Sequence, residues 1–430
     1  MRILKLTPAV EKNLLRARRE RDREAEAVAA GIVADVRKRG DAALFAYTKK
    51  FDHFDLRRSG LWISQREISK ATKEVSADFL RAIEHAARNI RRVAKKQLPR
   101  FWSRRVEPGV TISQFVRPID SIGCYVPGGR FSLVSTLLMT AIPAQVAGVK
   151  NIIVVCPKPN ATLLAAASLL GIQRIARIGG AQAIAALAYG TQSVPYVEKV
   201  FGPGNRFVTA AKQLVSCDCA IDLPAGPTEA VVLAPSTQPK FSNPKFIAAD
   251  LLAQAEHAPD AGSFLVTTSR KLASAVQAEI ASQLAQLPSD NPAHASIYKA
   301  GAILLAPSLA AACEFTNRFA PEHLSLPAYP ASLIERICAS GTIFLGPRSA
   351  QPLGDYISGS NHVLPTGGWA RKRGGLSTVD FVKCISVQSI DRVGFARLAT
   401  DAITLARSEG LFAHANAVAV RCNSTGGARS

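Results

Sequence analysis

The sequence has no apolar run approaching the ~20 residues that a membrane-spanning helix requires. Its first ten residues lack the sustained apolar core and small-residue cleavage site of a secretory leader. The chain is therefore expected to be cytoplasmic and not membrane-bound. Its eight cysteines (Cys124, Cys156, Cys217, Cys219, Cys313, Cys338, Cys384, Cys422) form no C-x-x-C pair. That argues against a zinc ribbon or a thioredoxin-like motif and, at 430 residues, against a disulfide scaffold. Cys217-Asp-Cys219 reads as two free thiols, and Cys124, next to a glycine turn, as an unreactive one. Acid is in short supply, with 32 Asp+Glu against 53 Lys+Arg leaving a net charge of +21.

What is present is a globular composition, 48% hydrophobic and 20% charged. The length suits more than one core, since single cores seldom grow past roughly 250–300 residues. Part of the positive excess is local: Arg88, Arg91, Arg92, Lys95, Lys96, Arg100, Arg104 and Arg105 fall within 18 residues. A nucleic-acid surface is one explanation. The spacing, however, matches the exposed side of an amphipathic helix, and no nucleic-acid motif accompanies it. A general attraction for anionic ligands, dinucleotides included, is the milder reading, and nucleic acid is not expected as a partner.

Residues 1–25 read as an N-terminal arm, with a charged run at 16–26 forming an exposed helix. Helix is expected over 27–51, capped and restarted at Arg39-Gly40-Asp41, and again over 77–97, ending before Pro99. A strand is expected at 110–116. From 122 the pattern is strand, glycine turn, helix, repeated: strands at 122–126, 151–156, 174–178 and 199–201, helices at 135–147, 161–170, 183–189 and 206–215. Further strands are expected at 220–223, 230–234, 263–267, 302–305 and 342–345. Units of this kind build parallel sheets covered on both faces. The fold class is therefore α/β, with two parallel-sheet, incomplete Rossmann-like domains and small N- and C-terminal helical extensions. The main domain is expected over 26–124 and 229–376, the second over 125–228. The segment 377–430 is read as short helices too thin to form a core, with a disordered tail after Val420.

Three glycine turns, Pro127-Gly128-Gly129, Gly179-Gly180-Ala181-Gln182 and Gly202-Pro203-Gly204-Asn205, suit a nucleotide, because glycine lets phosphate approach the N–H groups of a helix start. None is the dinucleotide fingerprint: Phe207 stands where G-x-G-x-x-G has its last glycine, and Asp222, about 20 residues on, is weak evidence alone.

Seven histidines are few, so their settings inform. His53, His85 and His294 read as structural. In 247–257, helical periodicity puts Asp250, Gln254 and His257 on one face, a carboxylate, an amide oxygen and an imidazole. A solvated polar face is the plain alternative. Pro321-Glu322-His323 follows a helix ending near Phe319. Adjacent side chains diverge on most backbones, so Glu322 and His323 suit two separate proton transfers. Gly354-Asp355-Tyr356 and Ser360-Asn361-His362 share a glycine-rich loop, and Glu409 and His414 lie five apart near the end. Gln254, His257, Asp355 and His414 make one candidate metal set. A thiolate-free set with a weak amide ligand suits substrate binding or catalysis better than a closed structural zinc site.

From Arg37-Lys-Arg-Gly-Asp-Ala-Ala43 to Ala413-His-Ala-Asn416 the chain resembles histidinol dehydrogenase, most specifically in GGAQAIAALAYG (179–190), GPGN (202–205), LLAQAEH (251–257), PEH (321–323), GDYISGSNHVLPT (354–366) and Glu409–His414. The resemblance implies NAD-dependent, four-electron oxidation of L-histidinol to L-histidine through a bound aldehyde, with one zinc ion per subunit. It implies that Gln254, His257, Asp355 and His414 hold zinc and that Tyr125, Gln182 and Asn205 contact NAD. Thr228, His323, His362 and Glu409 would position substrate with the zinc ligands, and Glu322 and His323 would be the acid/base pair. It further implies an intertwined homodimer, in which the C-terminal segment completes the partner's site.

Two departures stand out. Thr228 occupies a position where the family often has Ser, which keeps the hydroxyl. The segment Arg130-Phe-Ser-Leu-Val-Ser-Thr136 differs from the usual Tyr-Pro-Ser-Ser-like sequence near the cofactor region. Other readings are a related zinc- and NAD-dependent dehydrogenase of another alcohol, such as sulfopropanediol, and, from another class, a basic metal-stabilised binding protein. Glu409, suited to a substrate amine, favours histidinol over a sulfonate.

Overall fold

The structure is a computed structural model that describes residues 1–18, 22–128, 133–223, 226–235, 242–328 and 331–423. The chain divides into two compact units. One comprises Met1–Gln97 and Ile119–Phe381; the other comprises Leu98–Pro118 and the chain from Val382. Each is described by itself.

The larger unit contains two parallel sheets. The first has six strands in the order Arg2–Lys5, Gly301–Leu305, Gly262–Thr267, Glu229–Leu233, His323–Leu326, Thr342–Leu345, every pairing parallel. Strand residues alternate between two buried clusters. Val232, Leu265 and Ile303 pack on one face with the helices Pro244–Ala255 and Arg270–Leu284. Val231, Leu233, Phe264, Val266, Ala302 and Leu304 pack on the other with the helix Leu309–Phe319. Burial of both faces explains why these strands read as continuous apolar runs in the sequence.

The second sheet runs Ile175–Ala176, Asn151–Val155, Ser121–Tyr125, Lys199–Phe201, Ala220–Ile221, again all parallel. The alanine-rich helix Gly180–Tyr189 is buried along most of its length, and its small side chains admit the helices Arg23–Arg39 and Asp41–Asp52 against the same core. Gly40, at φ +55°, separates those two helices as expected.

The structure corrects the sequence-based expectations at several places. The N-terminal arm is more than helix: Arg2–Lys5 is the edge strand of the six-stranded sheet. The charged run at 16–26 is not one helix, since Pro8–Ala17 ends just inside it and Arg23–Arg39 begins within it. The division expected between residues 124 and 125 falls inside the strand Ser121–Tyr125, and the helices between 23 and 52 pack on the second sheet, not the first. The apolar faces of these helices go to the sheet whose core they complete.

The smaller unit is built on an antiparallel sheet in the order Val382–Ile390, Val110–Pro118, Trp102–Glu107, with the helices Arg392–Ser408 and Phe412–Asn423 packed together. The C-terminal segment is thus not wholly helical. Ile385 and Val387, alternating with Ser386 and Gln388, carried a period of two that marks a strand. The basic stretch is likewise not a single helix face. Arg88 to Lys96 lie on the helix Ala77–Gln97, whereas Arg104 and Arg105 lie on the strand Trp102–Glu107. The last helix continues to Asn423, and residues 424–430, in the tail expected to be disordered, lie outside the described residues. Among the described residues no helix is long and apolar enough to cross a membrane.

Candidate active site

The sequence-predicted acid/base pair sits at the entrance to the strand His323–Leu326. Ala320 ends the preceding helix in the left-handed region (φ +49°), a conformation that costs an alanine roughly 1–2 kcal/mol. This sharp exit turns Pro321-Glu322-His323 into the sheet. Glu322 precedes the strand, so the alternation that separates neighbouring side chains does not yet apply. The expected divergence is therefore not seen: His323 Nδ1 lies 3.8 Å from Glu322 Oε2, and His323 Nε2 lies 3.5 Å from Asp355 Oδ1. Both ring nitrogens are buried, and among the described residues neither has a hydrogen-bond partner. Desolvation pulls the His323 pKa down, but Glu322 and Asp355 outweigh it and the net direction is upward.

Around Glu322 the start of the strand Glu229–Leu233 supplies two donors. Thr228 Oγ1 donates to Glu322 Oε2 at 2.6 Å and the Glu229 N–H donates to the same oxygen at 3.0 Å. Gln254, fully buried on the helix Pro244–Ala255, donates from Nε2 to Thr228 Oγ1 at 2.8 Å and accepts at Oε1 from Gln351 Nε2 at 2.6 Å. Behind this layer Arg18 makes a two-pronged ion pair with the buried Glu229, donates to the Phe319 carbonyl and stacks on the Phe319 ring at 3.6 Å. Burial pushes the Glu229 carboxyl up to about 7, outweighing Arg18.

Asp355 and Gln351 lie four apart on the helix Gln351–Tyr356. Burial alone would raise the Asp355 pKa, but His323, His362 and His257 hold it below the usual carboxylate range. His362 Nδ1 lies 3.0 Å from the Asp355 carbonyl, and its Nε2 lies 3.4 Å from Thr136 Oγ1. Burial lowers the His362 pKa, more than Asp355 raises it.

The face expected to combine Asp250, Gln254 and His257 is only partly realised. The helix stops at Ala255, which puts His257 beyond it and in solvent, with Nδ1 3.0 Å from the Ala253 carbonyl. Asp250 instead lies beside Ser325 and Pro327, at the carboxyl ends of the strands, and desolvation raises its pKa to about 7.

Tyr125, Gln182 and Asn205 all sit at carboxyl ends of the second sheet, where α/β proteins bind ligands; Tyr125 and Asn205 follow the two strands between which strand order reverses, and Gln182 follows the edge strand. The Tyr125 hydroxyl accepts from the Gly180 N–H at 3.2 Å, the buried Gln182 donates from Nε2 to Asp52 at 3.5 Å, and Asn205 caps the helix Arg206–Val215. Gly202, at φ +109°, brings its turn so close to Tyr125 that a β-carbon there would clash with the Tyr125 carbonyl. Asp222 is no ribose ligand. It is fully buried and accepts from Lys212, the Gly202 N–H and the Leu223 N–H. Cys124 is fully buried with its thiol pushed up to about 12 by desolvation, an unreactive group as expected. The departing segment 130–136 lies outside the described residues at 130–132, as does Gly129 of the first glycine turn.

Glu409 and His414 belong to the smaller unit, at the end of Arg392–Ser408 and on Phe412–Asn423, and both are exposed there. Among the described residues no three His, Cys, Asp or Glu side chains close around one point. The larger unit nonetheless offers a donor set that suits a divalent cation. His257, with Nδ1 directed to a backbone carbonyl, presents Nε2 as metal-ligating histidines do. Asp355 is a buried carboxylate held in its charged form, and Gln254 adds an amide oxygen. Arg18, Glu229, Lys212 and Gln351 were missed from the sequence. Only Gln351 left a signal there, its place four residues before Asp355.

The family model described as histidinol dehydrogenase matches residues 15–422. The chain is 46% identical over 396 residues to histidinol dehydrogenase of Halalkalibacterium halodurans, covering 91% of this chain and 92% of that one. It is 44% identical over 408 residues to the Geobacter sulfurreducens enzyme, covering 94% of each. The crystal structure of histidinol dehydrogenase from Elizabethkingia anophelis superposes with a TM-score of 0.91 at 37% identity, over 99% of both chains.

Proposed function

Because the chain belongs to the histidinol dehydrogenase family, we propose that it oxidises L-histidinol to L-histidine with two NAD, through L-histidinal that stays bound between steps. The observation that carries this reading is the pairing of Glu322 and His323 beside Thr228, Gln254 and Asp355.

In this reading His323 removes the alcohol proton as the first hydride leaves. A placed base of this kind is worth roughly 10²–10⁴ in rate. Its two unpartnered ring nitrogens in a buried setting support the role, since a substrate hydroxyl would satisfy one of them. Glu322 activates the water that adds to the aldehyde. Thr228 and the Glu229 N–H fix it through Oε2, leaving the other oxygen for proton exchange. Loss of a second hydride from the hydrated aldehyde gives the acid. Thr228 and His362 orient the substrate, with the partner subunit's Glu409 meeting its amine.

Gln254, His257, Asp355 and the partner subunit's His414 would hold one zinc ion, which would supply a Lewis-acid centre that orients the substrate. Tyr125, Gln182 and Asn205 would place NAD, which supplies the acceptor for each hydride. The exposure of Glu409 and His414 supports a homodimer with shared sites, and the proposed place of work is the cytoplasm. The test is NADH formation followed by absorbance. Two equivalents per L-histidinol, abolished by removing metal, are expected; one equivalent, or none, contradicts the proposal.

A further inference from the structure

The helix Gln351–Tyr356 carries two polar side chains four residues apart, Gln351 and Asp355, which places them on one side. Asp355 is a metal ligand in the proposed function, and any role for Gln351 rests on that assignment. Gln351 itself has no part in the proposed chemistry. Yet Gln351 is 1% exposed, its Nε2 donates to Gln254 Oε1, and its own Oε1 is buried with no hydrogen-bond partner among the described residues. Gln254 then donates to Thr228, and Thr228 to Glu322. Four side chains from separate stretches of the chain thus form a one-way line of hydrogen bonds, from Gln351 to the acid/base carboxylate.

A glutamine amide can rotate about its last bond and present nitrogen where oxygen is needed, and the amide NH₂, a donor only, is no ligand for a cation. Gln254 is held at both ends of its amide, by Gln351 and by Thr228. Were Gln351 absent, one end of a fully buried amide would be unmet and its orientation free.

We propose that Gln351 is a positioning residue that fixes the Gln254 amide for metal binding and, through Thr228, ties that ligand to Glu322. Partners of metal ligands account for about 10–100-fold in metal affinity. Gln351→Leu keeps the volume and loses the hydrogen bond. Gln351→Glu keeps the shape, but its carboxylate can only accept and would draw the Gln254 NH₂, not its oxygen, toward itself.

The experiment needs no turnover. Zinc-loaded full-length protein is titrated with a chelator, and protein-bound zinc is measured by elemental analysis, with melting of the metal-free forms recorded as a check on packing. Gln351→Leu and the near-isosteric Gln351→Glu are each expected to release zinc at about 10–100-fold lower free chelator than wild type. Gln351→Ala replaces the leucine variant should that one fail to fold. Asp355→Asn serves as reference. If it loses zinc while Gln351→Leu or Gln351→Glu holds it like wild type, the positioning role is overturned. If Asp355→Asn itself holds zinc like wild type, the underlying metal set is what fails.

Discussion

Lys212 and Asp222 form an ion pair with side chains only 4% and 0% exposed. Lys212 Nζ also donates to the Gly202 carbonyl at 2.9 Å, while Asp222 accepts the Gly202 N–H at 2.7 Å and the Leu223 N–H at 2.6 Å. The pair therefore grips both polar groups of the residue that opens the turn to Asn205. Lys212→Met leaves a carboxylate buried without its counter-charge, and Asp222→Asn leaves a buried ammonium. Each is expected to cost about 3–5 kcal/mol. The double variant removes both charges and loses only hydrogen bonds to Gly202 and Leu223, about 1–3 kcal/mol. Its loss should fall short of the sum of the singles by about 3 kcal/mol or more. Urea unfolding of the four proteins, followed by fluorescence, measures this coupling. Because the turn leads to Asn205, the double variant should also raise the KM for NAD more than that for L-histidinol. Single variants that cost under about 1 kcal/mol, or losses that add within about 0.5 kcal/mol, would refute the reasoning.

Three other perturbations have defined outcomes. Asp250 has its pKa raised to about 7 by burial, so the folded state binds its proton more tightly than the unfolded one; wild-type stability is full below about pH 4 and falls as pH rises toward 7. Asp250→Asn should abolish that slope and be about 2–4 kcal/mol more stable than wild type at pH 8, and parallel urea midpoints from pH 4 to 8 would contradict it. Arg18→Met strips the counter-charge from Glu229, raised to about 7 already; the penalty should grow by more than about 1 kcal/mol between pH 6 and 8.5, which melting at the two pH values measures. Mixing inactive His323→Ala with inactive His414→Ala should restore part of the activity if His414 serves the partner's site, and no recovery despite subunit exchange demonstrated by mass spectrometry would exclude sharing.

Some of this protein was decided by the sequence alone. Largely apolar runs such as 151–156 and 230–234, punctuated by glycine turns, were enough for parallel sheets, because a strand buried on both faces has no polar alternation to hide. The candidate residues Gln254, Glu322, His323 and Asp355 were legible as well, since local motifs carried them. Tertiary structure decided the rest. No local pattern ties Arg18 to Glu229 across 211 residues, nor turns Asp222 from a candidate ribose ligand into the partner of Lys212. Helical periodicity grouped Asp250 with His257, but the helix ended at Ala255 and the two went to different surroundings. Residue type fixes what a side chain can do; which group it meets depends on contacts between distant segments, and these exist only once the sheets have packed.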